Sequence, residues 1–295
     1  MSQQHPDQPA RPDPRPDDRP DGQLREQADE LTYRSHYQDR VLDLTPVARP
    51  HASGLFRRVI AQGGYETRTT LSNGEQLLVS IILPLMVLIA LSVTDFIVAE
   101  GSTISPVNLA TPGVLALAVL SSGLTGQGIA TGFDRRYGVL RYLSTTPLGP
   151  TGLLLGKAVA VVLVLMVQLM VLGLAALFLE WRPVAVGVLY AGIFIVLGAV
   201  TFTALGLLIA GTVRPEATLA ITNLLWVILG AAGGVVFAVP ENLFGELLRF
   251  LPSAALGEGL RAATVRGQFD LLSFVILVVW ATIFTGCTVR WFKWR

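Results

Sequence analysis

The sequence predicts an all-α membrane protein with six transmembrane helices, an N-terminal elbow helix and an outer re-entrant helical hairpin between the fifth and sixth helices. Three observations carry this. Hydrophobic residues make up 52% of the 295 residues and charged residues only 15%, with a mean hydropathy of +0.58, which is too apolar for an ordinary soluble domain. The apolar residues gather into runs long enough, or nearly so, to cross ~30 Å of hydrocarbon at ~1.5 Å per helical residue. The lysines and arginines between the runs are distributed unequally between alternate connections, as the positive-inside rule requires.

Residues 1–50 form a low-complexity tail that includes Pro12, Asp13, Pro14, Arg15 and Pro16. Its apolar content is too low to offset the entropy of ordering, so a disordered cytoplasmic tail is expected. No apolar core of a secretory signal follows its charges. Residues 51–75 are expected to form the elbow: Leu55, Phe56, Val59 and Ile60 recur at helical spacing beside Arg57 and Arg58, with a break at Gly63 and Gly64. The membrane domain then occupies 76–295, with spans expected at 77–98, 114–133, 159–179, 184–213, 217–239 and 271–289. Pro84 should bend the first span by deleting a backbone donor.

With the N-terminus inside, the inner segments carry Arg57, Arg58, Arg68, Arg135, Arg136, Arg141, Lys157, Arg214, Arg290, Lys293 and Arg295, and the outer ones only Arg182, Arg249, Arg261 and Arg266. Both termini are therefore expected in the cytoplasm, and the protein in the cytoplasmic (inner) membrane. Segment 240–268 is neither a clean loop nor a crossing. Leu243, Phe244, Leu247 and Leu248 share one helical face, Pro252 interrupts, and Leu256, Leu260 and Ala263 lie opposite Glu258 and Arg261. A hairpin dipping into the outer leaflet, with its charges snorkelling toward water, follows from this pattern.

Several chemistries are excluded. The single Cys287 permits no intrachain disulfide, and His5, His36 and His51 all lie in the polar N-terminal part, so neither a metal site nor histidine-based catalysis is expected in the membrane domain. Gly156 and Lys157 imitate a phosphate-binding loop, but Thr151 replaces its first glycine and Ala158 its magnesium-binding hydroxyl. A net charge of +1 gives no case for nucleic acid. Carboxylates avoid the span interiors, with Asp95 near an outer end and Glu180 at an interface, which disfavours an ion-coupled carrier. The neutral residues Gln127, Gln168, Thr201, Thr203, Thr222 and Asn223 remain to join helices or line a path, and Gly230 belongs to the small residues that allow close helix approach or a dimer interface.

The residues 133–148 form a charged amphipathic island between two apolar runs. Val139, Leu140 and Leu143, with Arg136 one turn back, make a mixed apolar and basic face, and Thr146 and Pro147 end the helix. Such a knob suits insertion into a cleft of a soluble subunit.

With these features in place, the chain resembles the permease subunit of a type-2 ABC exporter, of the daunorubicin-resistance and polysaccharide-export kind. The resemblance rests on the elbow, the six spans, the run Asp134-Arg135-Arg136-Tyr137-Gly138-Val139-Leu140-Arg141-Tyr142-Leu143 before Thr146-Pro147-Leu148, and the outer hairpin with Leu251-Pro252 and Leu260-Arg261. The family usually has Glu where this chain has Asp134. The resemblance implies a coupling helix at about 134–146 that docks on an ATPase, with Asp134, Arg135, Arg136, Tyr137, Val139, Leu140, Arg141 and Leu143 as the coupling residues. It implies an outer gate at 240–268 that includes Leu243, Phe244, Pro252, Glu258 and Arg261. It also implies a working unit of two permeases, as a homodimer or a heterodimer, and two cytosolic ABC ATPase subunits that hold ATP and Mg. The permease itself would hold no cofactor and catalyse nothing. The expected function is ATP-driven export of an amphipathic or hydrophobic drug, lipid or glycolipid. The alternatives are an ATP-independent channel or assembly scaffold and, less favoured, an intramembrane enzyme.

Overall fold

The computed structural model describes residues 53–74, 78–94, 104–144, 146–236 and 243–292, together with Arg25 and Ala28. Contacts divide the chain between Ala52 and Ser53, and the fold below is that of the second unit. The predicted tail, Asp95, Thr145, residues 240–242, Lys293 and Arg295 lie outside the described residues. Among those described, all regular structure is helical.

Helix α1 spans Leu55–Ser72 without the break expected at Gly63 and Gly64. Gly63 is instead a contact residue: a Cβ there would lie 2.6 Å from Val159 Cγ1 and 3.2 Å from the Gly156 carbonyl. Close packing against the helix that carries Gly156 and Val159 offsets the intrinsic helix penalty of glycine, about 1 kcal/mol. Helix α2, Leu83–Ser92, follows a π-helical turn at Leu78–Ile82, and Pro84 sits in its first turn, where a missing amide donor is tolerated. Pro84, expected to bend the first span, thus lies directly after a π turn.

Helix α3, Pro106–Leu120, continues through a second π turn at Ser121–Gly126 into α4, Gln127–Arg136. The rod starts eight residues before the expected residue 114, because Pro106 occupies the first helical turn and initiates the helix rather than ending a loop. Most of it lies inside the bundle. The short α5, Val139–Ser144, is separated from α4 by Gly138 at φ +74°. Helix α6, Gly149–Phe178, begins ten residues before the expected 159, with Pro150 in its first turn. Lys157 is consequently a helical residue inside the packed body, not a loop cation.

Helix α7, Ala185–Thr212, agrees with the expected 184–213 to one residue at each end. Helix α8, Pro215–Val227, ends in a third π turn at Ile228–Ala232, and the chain then leaves helical structure at Gly233. Helices α9, Leu243–Leu248, and α10, Pro252–Arg266, precede α11, Leu271–Trp291. Gly267, at φ +64°, closes α10 by donating to the Ala263 carbonyl while Gln268 donates to that of Ala262. Asp270 caps α11 by accepting from the Leu272 and Ser273 amides at 3.1 and 3.4 Å.

Among the described residues, four helices are long and apolar enough to cross a membrane: 106–136, 152–178, 185–212 and 271–291. The first and fifth expected spans appear as shorter apolar helices, Ser80–Ser92 and Pro215–Ala231, about 20 and 25 Å long at the helical rise. Helix α7 is the hub, packing on α4, α10 and α11. Helices α6 and α11 turn Met166, Met170 and Leu174, and Val275, Val279 and Ile283, outward. In a chain of this composition that surface suits lipid.

Helix α10 departs most from expectation. Twelve of its fifteen residues are buried, Arg261 among them, so it is not a half-exposed amphipathic element and Arg261 does not snorkel. Its Ala, Gly and Ser content lets it slot between neighbours: a Cβ on Gly187 of α7 would collide with the Ala263 carbonyl oxygen, and one on Gly259 would meet the Phe194 ring at 2.5 Å.

Candidate functional site

The end of the bundle that carries α5 concentrates the charge. At the last turn of α4, consecutive residues point to three partners. Asp134 Oδ2 accepts from Lys157 Nζ at 2.8 Å, and the same ammonium lies 3.3 Å from Glu66 Oε1 of α1. The Lys157 side chain is only 2% exposed, and Gln62 Nε2 donates to Glu66 Oε1 at 3.0 Å. An ammonium so buried is retained at tolerable cost only because two carboxylates face it.

Arg135 turns inward and donates from Nη1 to the carbonyls of Ala210 and Val213, both at 3.0 Å. It thereby satisfies acceptors at the C-terminal end of α7, where a cation also complements the helix dipole. Arg136 pairs with Glu216, in the first turn of α8, at 3.1 Å. Both partners are about half exposed or more, so this bridge contributes little by itself. Arg58 of α1 donates to the Pro147 carbonyl just ahead of α6.

The eight expected coupling residues thus divide. Asp134, Arg135 and Arg136 belong to the long rod and bind, in turn, Lys157 of α6, the end of α7, and Glu216 of α8. Around the turn at Gly138, Leu140 is buried, Leu143 is half-buried, and Tyr137, Val139, Arg141 and Tyr142 are presented outward, the two tyrosines at 73% and 72% exposure. Phe133 stacks on Tyr137 with ring centroids 6.1 Å apart. The projecting knob is therefore aromatic and aliphatic with one arginine, and Tyr142 belongs to it although it is not among the eight.

At the other end of α7, α10 grips the non-helical stretch after α8. Arg261 donates from Nη1 to the Val235 carbonyl at 3.0 Å and from Nη2 to that of Gly234 at 2.5 Å, while Glu258 holds Nη2 at 3.0 Å. Ser253 Oγ donates to the Gly233 carbonyl at 2.8 Å. Pro252 is buried and Leu243 is 83% exposed; Phe244 lies in α9 beside it. Trp280 of α11 donates to the Phe250 carbonyl at 2.8 Å, tying the α9–α10 connection to the last span.

The sequence model of ABC-2 family transporter proteins matches residues 58–289, well over half of the chain. The chain belongs to that family. Among curated proteins none matches it significantly. As an ABC-2 family protein it is a multi-pass membrane transport component, not itself catalytic, and membership implies association with an ABC ATPase.

In this ABC-2 protein the six residues grouped for a path or dimer interface lie on α4, α7, α8 and the π turn that ends α8. Thr201 and Thr222 are buried and bond to carbonyls of their own helices, Leu197 and Thr218, at 2.8 Å each. Gly230 packs toward Leu117. Asn223 is exposed on α8. Gln127 of α4 and Thr203 of α7 are buried, and Gln127 Oε1 and Thr203 Oγ1 have no hydrogen-bond partner among the described residues. Beside the second π turn, Ser122 Oγ donates to Gln168 Oε1 and Trp226 Nε1 to Ser121 Oγ, both at 2.6 Å. These bonds join three helices, as expected of polar side chains in an apolar bundle.

Sequence reasoning missed the roles of Glu66, Lys157 and Glu216. A signal existed for Lys157: once Pro150 is taken as a first-turn residue, Lys157 falls on a helix and must find partners. Nothing local pointed to Glu66, whose ammonium partner lies 91 residues away in the chain.

Proposed function

We propose that this protein is the membrane subunit of an ATP-driven exporter of amphipathic or hydrophobic molecules such as drugs, lipids or glycolipids. The observation that carries the reading is the exposed knob of Tyr137, Val139, Arg141 and Tyr142, placed directly on the end of the most deeply buried rod of the bundle. Exposed aromatic side chains rimmed by a cation suit a pocket on a soluble partner, and an ABC ATPase is the partner that family membership supplies. Closure of two ATPases on ATP would displace two such knobs, and the α3–α4 rods would carry that displacement into the membrane. Outward direction and the type of cargo follow from the resemblance and from the lack of charged side chains in the middle of the long spans.

The test uses Tyr142→Asp and Arg141→Glu, which alter two exposed positions of the knob. Each should keep the thermal stability of the parent and lose co-purification with the cognate ABC ATPase. Retention of the full complex by the double variant overturns the docking assignment. Cargo type is tested by ATPase stimulation of the reconstituted complex with phospholipid, glycolipid and cationic amphipathic drugs in parallel. Stimulation by none of these removes the amphipathic-substrate reading.

A further inference from the structure

We infer that Lys157 is a positioning residue, a buried latch that makes α1 move together with the end of α4. Three elements distant in sequence meet at one ammonium: Asp134 of α4 at 2.8 Å, Glu66 of α1 at 3.3 Å, and α6, which carries Lys157 itself. The side chain is 2% exposed, so solvent does not substitute for either carboxylate and the ammonium requires both. The contact is closely built. Gly63 and Gly156 face each other's helices without side chains, and a Cβ on Gly156 would come 2.7 Å from Gln62 Cγ. Gln62 in turn holds the Glu66 carboxylate. Removal of either glycine's space would separate α1 from α6 and draw Glu66 away from Lys157.

The latch changes the assignment of Asp134. Its carboxylate is engaged by Lys157 inside the protein, so its role is internal transmission, while contact with a soluble partner falls to the residues after Gly138. Helix α1 ends at Ser72, and the π turn that leads into α2 starts at Leu78. A displacement of the α4–α5 junction that draws α1 along therefore reaches the first membrane helix by a second route besides the α3–α4 rod. This consequence for transport rests on the proposed docking of an ATPase at α5, whereas the latch itself does not.

The experiment is hydrogen–deuterium exchange of the full chain in lipid nanodiscs, alone and in complex with its ABC ATPase. Lys157→Met leaves two half-buried carboxylates facing each other without their cation and can fail to fold. The decisive variant therefore removes all three charges together, Glu66→Gln, Asp134→Asn and Lys157→Met, since a fully neutral replacement of a buried ionic cluster is often tolerated. In the protein alone, exchange at the α1 amides should rise roughly tenfold or more in the neutral variant, the equivalent of one charge-assisted contact, with α11 unchanged as an internal control. Lys157→Arg, which keeps a cation between the two carboxylates, should keep α1 protected, whereas Lys157→Met should not. Parental exchange rates at α1 in the neutral variant overturn the latch. A non-hydrolysable ATP analogue, added to the complex, should alter exchange at α5 and α1 together in the parent and at α5 alone in the neutral variant. A parent complex with no change at α5 overturns the docking reading instead, and the latch then stands or falls on the nucleotide-free comparison.

Discussion

Replacement of Arg261 by methionine preserves much of the side-chain volume and removes every hydrogen bond that the guanidinium makes. In the parent, its two terminal nitrogens serve the carbonyls of Gly234 and Val235 and the carboxylate of Glu258. Both carbonyls lie in the non-helical stretch that follows the π turn of α8, where no helical ladder supplies a replacement donor. Charge-assisted bonds of this kind contribute about 1.5–3 kcal/mol each, and loss of one partner of a buried polar cluster costs about 3–5 kcal/mol. With a sensitivity of about 2–4 °C per kcal/mol for a body of this size, the midpoint of thermal unfolding should fall by roughly 6–20 °C. The chain has its own reporter, because Cys287 of α11 is the sole cysteine and is only partly exposed, so a thiol-reactive fluorophore follows unfolding without further mutation. Arg261→Lys, which keeps the charge but not the fork of donors, should fall between parent and Met variant. A midpoint for Arg261→Met within about 1 °C of the parent, well inside the per-kcal sensitivity, refutes the view that α10 grips the end of α8 through this residue.

Two further outcomes follow from local geometry. Gly187→Ala places a methyl group where the Ala263 carbonyl already stands; backbone must move, and a loss of about 1–3 kcal/mol should appear in the same thiol-based melt. Asp270→Ala removes the cap of α11 and should cost about 1 kcal/mol, read as faster amide exchange at the first turn of that helix, while Asp270→Asn should retain most of the protection.

The membership of the chain in a helical membrane family was legible in composition and run length, and some boundaries were as well. Helix α7 was bounded correctly because Pro183 and Pro215 enclose an uninterrupted apolar run. Helices α3 and α6 were started too late because Pro106 and Pro150 resembled loop residues, although in the first turn proline has no amide to lose. The gap in α1 was expected on propensity, but tertiary contact between Gly63 and α6 overrode it. Helix α10 misled for a different reason. A helical wheel assigns Glu258 and Arg261 to solvent, yet the acceptors for Arg261 are carbonyls at Gly234 and Val235, freed by a helix ending more than twenty residues earlier. Pairings of that kind, like Lys157 with Glu66, are long-range and leave no periodic trace. The coupling run was visible as an island of charge; its division at Gly138 into an inward-bound half and a projecting half required the backbone.

The π turn at Ser121–Gly126 also sets an angle. A π turn accommodates an additional residue within an otherwise α-helical rod, and one residue corresponds to about 100° of rotation about the helix axis. The azimuth of α4 relative to α3 is thus fixed by that widened turn, and with it the directions in which Asp134, Arg135 and Arg136 point. A rod of the same composition wound as uninterrupted α-helix would aim its carboxylate about a quarter-turn away from Lys157. The bulge, held by Ser121 to Trp226 and by Ser122 to Gln168, is the clocking element that brings the charges of the base into register with their partners.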